Sequence, residues 1–583
     1  MHRGVLALVL VACHSPASPR PQLPLVTTGE SSQWIRTGHY DEAVALCHDF
    51  ARVYPSVTCD EIGKTGEDRP IVALRIARHH AQRVPVIYVQ AGIHAGEIEG
   101  KDAGLWFLRD LLDGKVAPGA LDAVDVVFVP VVNPDGHERF GPNNRPNQRG
   151  PEEMGFRTNA ARLNINRDFV KADTPEAQAL LRVIAARDPV LLVDLHTTDG
   201  AKFEHDISFN TAPVAARPGD QLAETAHALS DALIERMTAL GHLPLGFYPT
   251  FISEDDPLSG FAIGEAPPRF SQTYMALRSR LGVLVETHSW RTYKERAQST
   301  YHALQSIFEL ATREAARWSA VEHAADRADQ QLRGNPLPVV FENGPHTTEI
   351  AFRGYAFEKV PSDISGGTWT KYAESKPEVW HVKLHDELIP KVSVAVPKAG
   401  YIVDGGFAPQ IGAVLARHGI AYRLLPDQLR GDVEVFRATK VTYQPPFEGR
   451  TRTQLEGAWT RETRTFERGA IFVPLAQPAV RLIVQLLDPA APDSLAQWGE
   501  LNVVFERREY MEPYVAEEAA RAMIARDPSL RTQLDAAVAA DPELAKSPTQ
   551  RLEWFYRRHL AWDERTNLLP IYKTDRDFAR LVP

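Results

Sequence analysis

Four short apolar runs, residues 84–89, 124–132, 190–195 and 281–285, are separated by longer stretches with helical periodicity. Runs of this length bounded by helices dictate strands joined by helical crossovers, the signature of an α/β sheet. Helical patterns start near Glu99 and at Thr174-Pro175-Glu176, where threonine can cap and proline can open the first turn. Others cover about 220–240 and 296–332. At 583 residues the chain exceeds one ordinary core, so at least two domains are expected. After Gly334-Asn335-Pro336 the helices give way to short β-rich runs with frequent glycine and proline, and a helical tail begins near Tyr514. We therefore expect a first domain over 31–333 and a mainly β domain over 334–583, with no chemistry legible in the second.

The start of the chain differs from both. Met1-His2-Arg3 is followed by an apolar run that is too short to span a bilayer and ends Leu10-Val11-Ala12-Cys13. Residues 1–12 are expected to be a signal peptide with a lipobox-like end, and 13–30 a tether. That predicts an exported protein of the periplasm or cell envelope, attached to the membrane if Cys13 is acylated. Cys47 and Cys59, twelve apart, are either a small-loop disulfide or two buried thiols. The net charge of −10 and the lack of a basic stripe give no basis for nucleic-acid binding.

Polar residues gather at the ends of the apolar runs, where open α/β sheets bind ligands. His94 and Glu97 follow the first, Asp194 and His196 end the third, and Glu286 ends the fourth. Three apart, His94 and Glu97 would converge on one point if the chain turns helical there. In a strand Asp194 and His196 share a face, so the carboxylate can orient the imidazole. Two histidines and a carboxylate can hold one Zn²⁺ and leave a position open to water, the donor set of metal-dependent peptidases. Glu286, partly desolvated at its strand end, is then the candidate general base. The bland alternatives are an exposed helix pair, a buried Asp–His pair and a sheet-end glutamate beside Arg280 or Arg291.

These segments, with Asn133-Pro134-Asp135-Gly136, Arg157-Thr158-Asn159, Asn166-Arg167 and Val285-Glu286-Thr287, resemble the zinc carboxypeptidase family. Tyr54-Pro55, Ile62-Gly63-Lys64 and Arg69-Pro70-Ile71 resemble the family's opening, so the likeness covers roughly 40–320. It implies an α/β fold with a mixed central sheet and helices on both faces, and one Zn²⁺ held by His94, Glu97 and His196, with Glu286 as base and Arg157 polarising the scissile carbonyl. Asn166 and Arg167 would grip the terminal carboxylate of a peptide substrate, as a guanidinium fork can. Tyr274 is expected as the tyrosine over the substrate, with Tyr248 the other candidate. The pattern departs from the family at Asn164, where an aspartate usually orients the first histidine, and at Asp168, where asparagine is common. A rival enzymatic reading is an amidase of cell-wall peptides using the same site. A binding protein that kept the fold would lack a ligand or the base, and none is missing here.

Overall fold

A computed structural model describes residues 24–198, 200–215 and 219–578. The expected leader, Cys13 and tether residues 13–23 lie outside them. The first part of the chain supplies β1 (Val57–Lys64), β2 (Pro70–Ile76), β3 (Val86–Ala91), β4 (Asp125–Val129), β5 (Leu191–Thr198), β6 (Ile207–Ala212), β7 (Pro244–Leu245), β8 (Phe261–Ala262) and β9 (Leu281–His288). Among the described residues they form an eight-stranded sheet in the order β1-β2-β4-β3-β5-β9-β6-β7, with β8 apart. The centre, β4-β3-β5-β9, is parallel, and β1, β2 and β6 are antiparallel to their inner neighbours. Strands β3, β5 and β9 are buried along their whole length, which is why they read as continuous apolar runs.

Alternate residues feed two cores. Ile87, Val89, Val193, Leu195, Val283 and Val285 face the helices Glu99–Leu112, Gln221–Ala239 and Tyr293–Asp329. Tyr88, Val127 and Leu192 face the helices Pro175–Arg187 and Ser271–Leu277. Thr174 caps the former by accepting from the Ala177 N–H at 3.2 Å, with Pro175 in the first turn as its sequence requires. Asn133-Pro134-Asp135-Gly136 opens a short helix, Pro134–Glu138, with Asn133 as its cap.

The later part adds β10 (Pro336–Asn343), β11 (Thr348–Pro361), β12 (Thr368–His385), β13 (Leu388–Ala395), β14 (Gly400–Val403), β15 (Arg423–Leu424), β16 (Leu429–Tyr443), β17 (Thr453–Phe466), β18 (Ile471–Pro474) and β19 (Leu568–Thr574). Strand β12 pairs with β8, tying the long β11–β12 hairpin to the first part. A second sheet has the order β15-β18-β14-β19-β16-β17. The expected helical tail is not terminal. After the helices between Pro513 and Tyr556 the chain returns as β19, whose residues are all buried, into the middle of that sheet. The two parts share one core, in which Tyr88, Leu192 and Met275 belong to the same cluster as Tyr401, Leu482 and Trp498. Residues 25–30, expected in the tether, are also packed. Leu25 is buried, and Arg109 donates to its carbonyl at 2.7 Å while pairing with Glu30. Cys47 and Cys59 are bonded, joining the helix Tyr40–Val53 to β1. No helix among the described residues is long and apolar enough to cross a membrane.

A chain ended after residue 333 would expose to water the sides of the helices Pro175–Arg187 and Ser271–Leu277 on which the later part packs. We expect it to aggregate, whereas the full chain should run as a discrete species in size-exclusion chromatography. A soluble, cooperatively melting truncation would contradict the shared core.

Candidate metal centre and substrate cavity

Strand β3 ends at Ala91, and Gly92 turns the chain with φ of +65°, a conformation that costs glycine least. The Glu97 N–H then donates to the His94 carbonyl at 2.9 Å. A tight turn, not helical spacing, brings His94 and Glu97 together, and the helix starts only at Glu99. Strands β5 and β9 run in register with His196 opposite Glu286. Asp194, His196 and Glu286 therefore project from the sheet face that carries Leu192, the face covered by the helices Pro175–Arg187 and Ser271–Leu277.

The donor atoms of His94, Glu97 and His196 lie within 4.8 Å of one another, and all three residues are buried. His94 Nδ1 is 2.9 Å from Glu97 Oε1, and His196 Nδ1 is 2.9 Å from Glu97 Oε2. The opposite ring nitrogens face oxygen acceptors. His94 Nε2 donates to Asn164 Oδ1 at 3.2 Å, and His196 Nε2 lies 3.1 Å from Asp194 Oδ1. Holding the proton on Nε2 turns both Nδ1 lone pairs toward the Glu97 carboxylate, the arrangement a divalent cation needs. Electrostatics favours the same occupant. Burial pushes the His94 imidazole down to about 4, keeping it neutral. Burial acts the same way on His196, but Asp194 and Glu97 outweigh it and hold that ring well above the ordinary range. The centre thus stabilises positive charge between its carboxylates, and the donor set fits one metal ion.

Asn164, a departure in the sequence, still accepts from His94 and also from the Asn166 N–H at 3.0 Å. Asp168 has a structural task. It accepts from Lys171 Nζ at 2.5 Å and from the Thr174 N–H and hydroxyl, closing the loop behind Asn166 and Arg167. Arg145 escaped the sequence reading. Its Nη2 sits 2.7 Å from Glu97 Oε1, and its side chain crosses Gly96 where a Cβ would lie 2.6 Å from Arg145 Cγ. The glycine in His94-Ala95-Gly96-Glu97 was the one available signal.

His94, Arg157, Asn166, Arg167 and Glu286 open together onto a cavity of about 660 Å³. The Arg167 guanidinium lies 4.2 Å over the Phe270 ring. Burial, with Arg157 and Arg269 nearby, pushes it down to about 10, so it stays cationic at neutral pH and makes an anion-attracting corner. Tyr248 lines the cavity, and Thr198 Oγ1 donates to its hydroxyl at 2.9 Å. Tyr274, expected over the substrate, is elsewhere. It is 1% exposed, is absent from the cavity wall and contacts His418 Nδ1 at 3.1 Å in the shared core. The helix Ser271–Leu277 turns its ring to the apolar side, where burial raises its hydroxyl.

A His-Glu-His cluster able to hold one metal ion thus sits at the carboxyl edge of the parallel strands, beside an arginine-lined cavity. Residues 43–239, about a third of the chain, match the zinc carboxypeptidase family model. Carboxypeptidase A4 of Mus musculus is 33% identical over 110 residues, 18% of this chain and 26% of that protein. The inactive metallocarboxypeptidase ECM14 of Saccharomyces cerevisiae is 32% identical over 119 residues, 18% of this chain and 28% of that one. The chain thus spans about a quarter of the length of these curated relatives. The crystal structure of carboxypeptidase A from Helicoverpa armigera aligns with a TM-score of 0.36 at 18% identity, over 50% of this chain and 74% of that one.

Glu265 also lines the cavity, and burial pushes its carboxyl up to about 6. The folded protein therefore holds that proton more tightly than the unfolded chain, and stability falls as pH rises from the ordinary 4.5 through 6. Glu265→Gln should raise the melting temperature at pH 8 and leave it unchanged at pH 4. An equal shift at both pH values would refute the burial argument.

Proposed function

We propose that this chain is a zinc-dependent carboxypeptidase that hydrolyses the last peptide bond of a substrate with a free C-terminus. The observation that carries the reading is the convergence of the His94–Glu97–His196 centre, Glu286 and the Arg157–Asn166–Arg167 group on one cavity. Residues 43–239 supply the family context, but Glu286 lies beyond the matched segment, so its role rests on its register with His196.

His94, Glu97 and His196 would hold the zinc, which supplies Lewis-acid polarisation and a lowered proton affinity for attacking water. Asn166 and Arg167 bind the substrate carboxylate, and relief of the repulsion among Arg157, Arg167 and Arg269 favours an anion there. The terminal side chain enters the cavity between apolar walls at Ile234, Phe247 and Leu284. Glu286, 7% exposed, takes the proton of the attacking water and returns it to the leaving amine. Arg157, whose side chain is 36% exposed, stabilises the oxyanion that develops on the carbonyl. Asp194 and Asn164 keep the two imidazoles oriented throughout.

The Cys47–Cys59 disulfide supports the reading of the chain as exported, since such bonds persist in oxidising compartments. The lipid anchor at Cys13 remains part of the same proposal, and loss of fatty-acid labelling in Cys13→Ser would check it.

Purified protein should cleave free-terminus peptides, lose activity to a chelator and regain it with zinc, while C-terminally amidated peptides resist. Glu286→Gln should lower kcat by about 10²–10⁴-fold with zinc content intact. Arg167→Ala should act mainly on KM. Cleavage of amidated and free peptides at equal rates would remove the carboxypeptidase assignment, and cleavage of muropeptides alone would move it to a cell-wall amidase.

A further inference from the structure

The tip of the β16–β17 hairpin brings the later part of the chain to the metal centre. Glu448 occupies that tip with φ of +49°, a left-handed conformation that a glutamate adopts only when its surroundings enforce it. Three neighbours do so. Gly449 follows, also left-handed, and packs against Leu163. Arg450 forks onto Asp173 with contacts of 2.7 and 3.0 Å and pairs with Glu500 at 2.7 Å. Phe447 lies under the Arg269 guanidinium and stacks with buried Trp498.

So held, Glu448 Oε2 accepts the backbone N–H of Asn164 at 2.8 Å. Asn164 is the residue whose Oδ1 accepts from His94 Nε2, and it opens the short turn Ile165–Arg167 that carries Asn166 and Arg167. An amide oxygen brings no charge to this position, so its orientation must come from geometry. A carboxylate fixed on its own backbone N–H provides that geometry from outside the family-matched segment.

We propose that Glu448 is a positioning residue for the metal centre, acting through Asn164 on His94. The later part of the chain thereby completes the site instead of merely flanking it. The inference rests on the zinc-site reading, and its test reads zinc affinity rather than turnover. Zinc dissociation constants would be measured by chelator competition on the full chain. Partners that orient a metal-bound histidine are typically worth 10–100-fold in affinity, so Glu448→Ala should weaken zinc by about that factor. Glu448→Gln keeps an oxygen at the same reach and should stay within about twofold of wild type. Glu448→Ala added to Asn164→Ala should cost nothing beyond Asn164→Ala alone, because the two act in series.

Unchanged affinity in Glu448→Ala, a loss in Glu448→Gln as large as in Glu448→Ala, or additive losses in the double variant would each overturn the proposal. If zinc-free melting shows that Glu448→Ala is unfolded, Glu448→Asp replaces it, with its acceptor one methylene short and the same loss expected. Wild type that takes up no zinc would refute both this inference and the metal site. Wild type that binds zinc but hydrolyses no peptide would refute only the proposed activity.

Discussion

A carboxylate with 2% exposure cannot stay ionised unless its surroundings compensate for the lost water, and Glu97 is such a group. The Arg145 guanidinium and the Thr197 N–H compensate directly, and the two imidazoles do so through the cation that their Nδ1 atoms are turned to hold. Each arrives from a different segment: a turn after β3, the end of β5 and a loop near residue 145. The shape of the central sheet follows from bringing them together. Strands β3 and β5 must be parallel neighbours so that both carboxyl ends open on the same edge, and β9 must lie beside β5 to add Glu286.

Much of this was legible in the sequence, because buried parallel strands leave continuous apolar runs and a polar residue ending such a run stands out. His94, Glu97, His196, Asp194 and Glu286 were found that way. Tyr274 was misplaced because the resemblance does not say which side of a helix a ring takes. The Ser271–Leu277 helix turns it inward to His418. Arg145 and Glu448 left no pattern, since a long side chain from a polar loop or hairpin tip reaches its target only through tertiary packing. The same holds for β19, hidden behind four helices that made the end of the chain look wholly helical.

The boundary near residue 333 is real as a change in secondary structure and misleading as a change in structural unit. The helix Tyr293–Asp329 ends there and β10 begins, yet the core runs across without a break. Salt bridges reinforce the seam. Arg269 and Arg452 share buried Asp493, and Arg481 meets Asp329. Apolar burial and these shared carboxylates together fix the cavity wall around Phe270.

Strand β19 sits between β14 and β16 although every other strand precedes it in the chain. During synthesis, then, the β16–β17 hairpin has no inner neighbour until residues near 570 have emerged. The metal ligands His94, Glu97 and His196 are made early, but the frame around them closes only once β19 has been made. Contacts so distant in sequence form late in folding. A nascent chain of this kind holds its ligands long before it holds them in place, so a fully framed site would belong only to a chain made through β19.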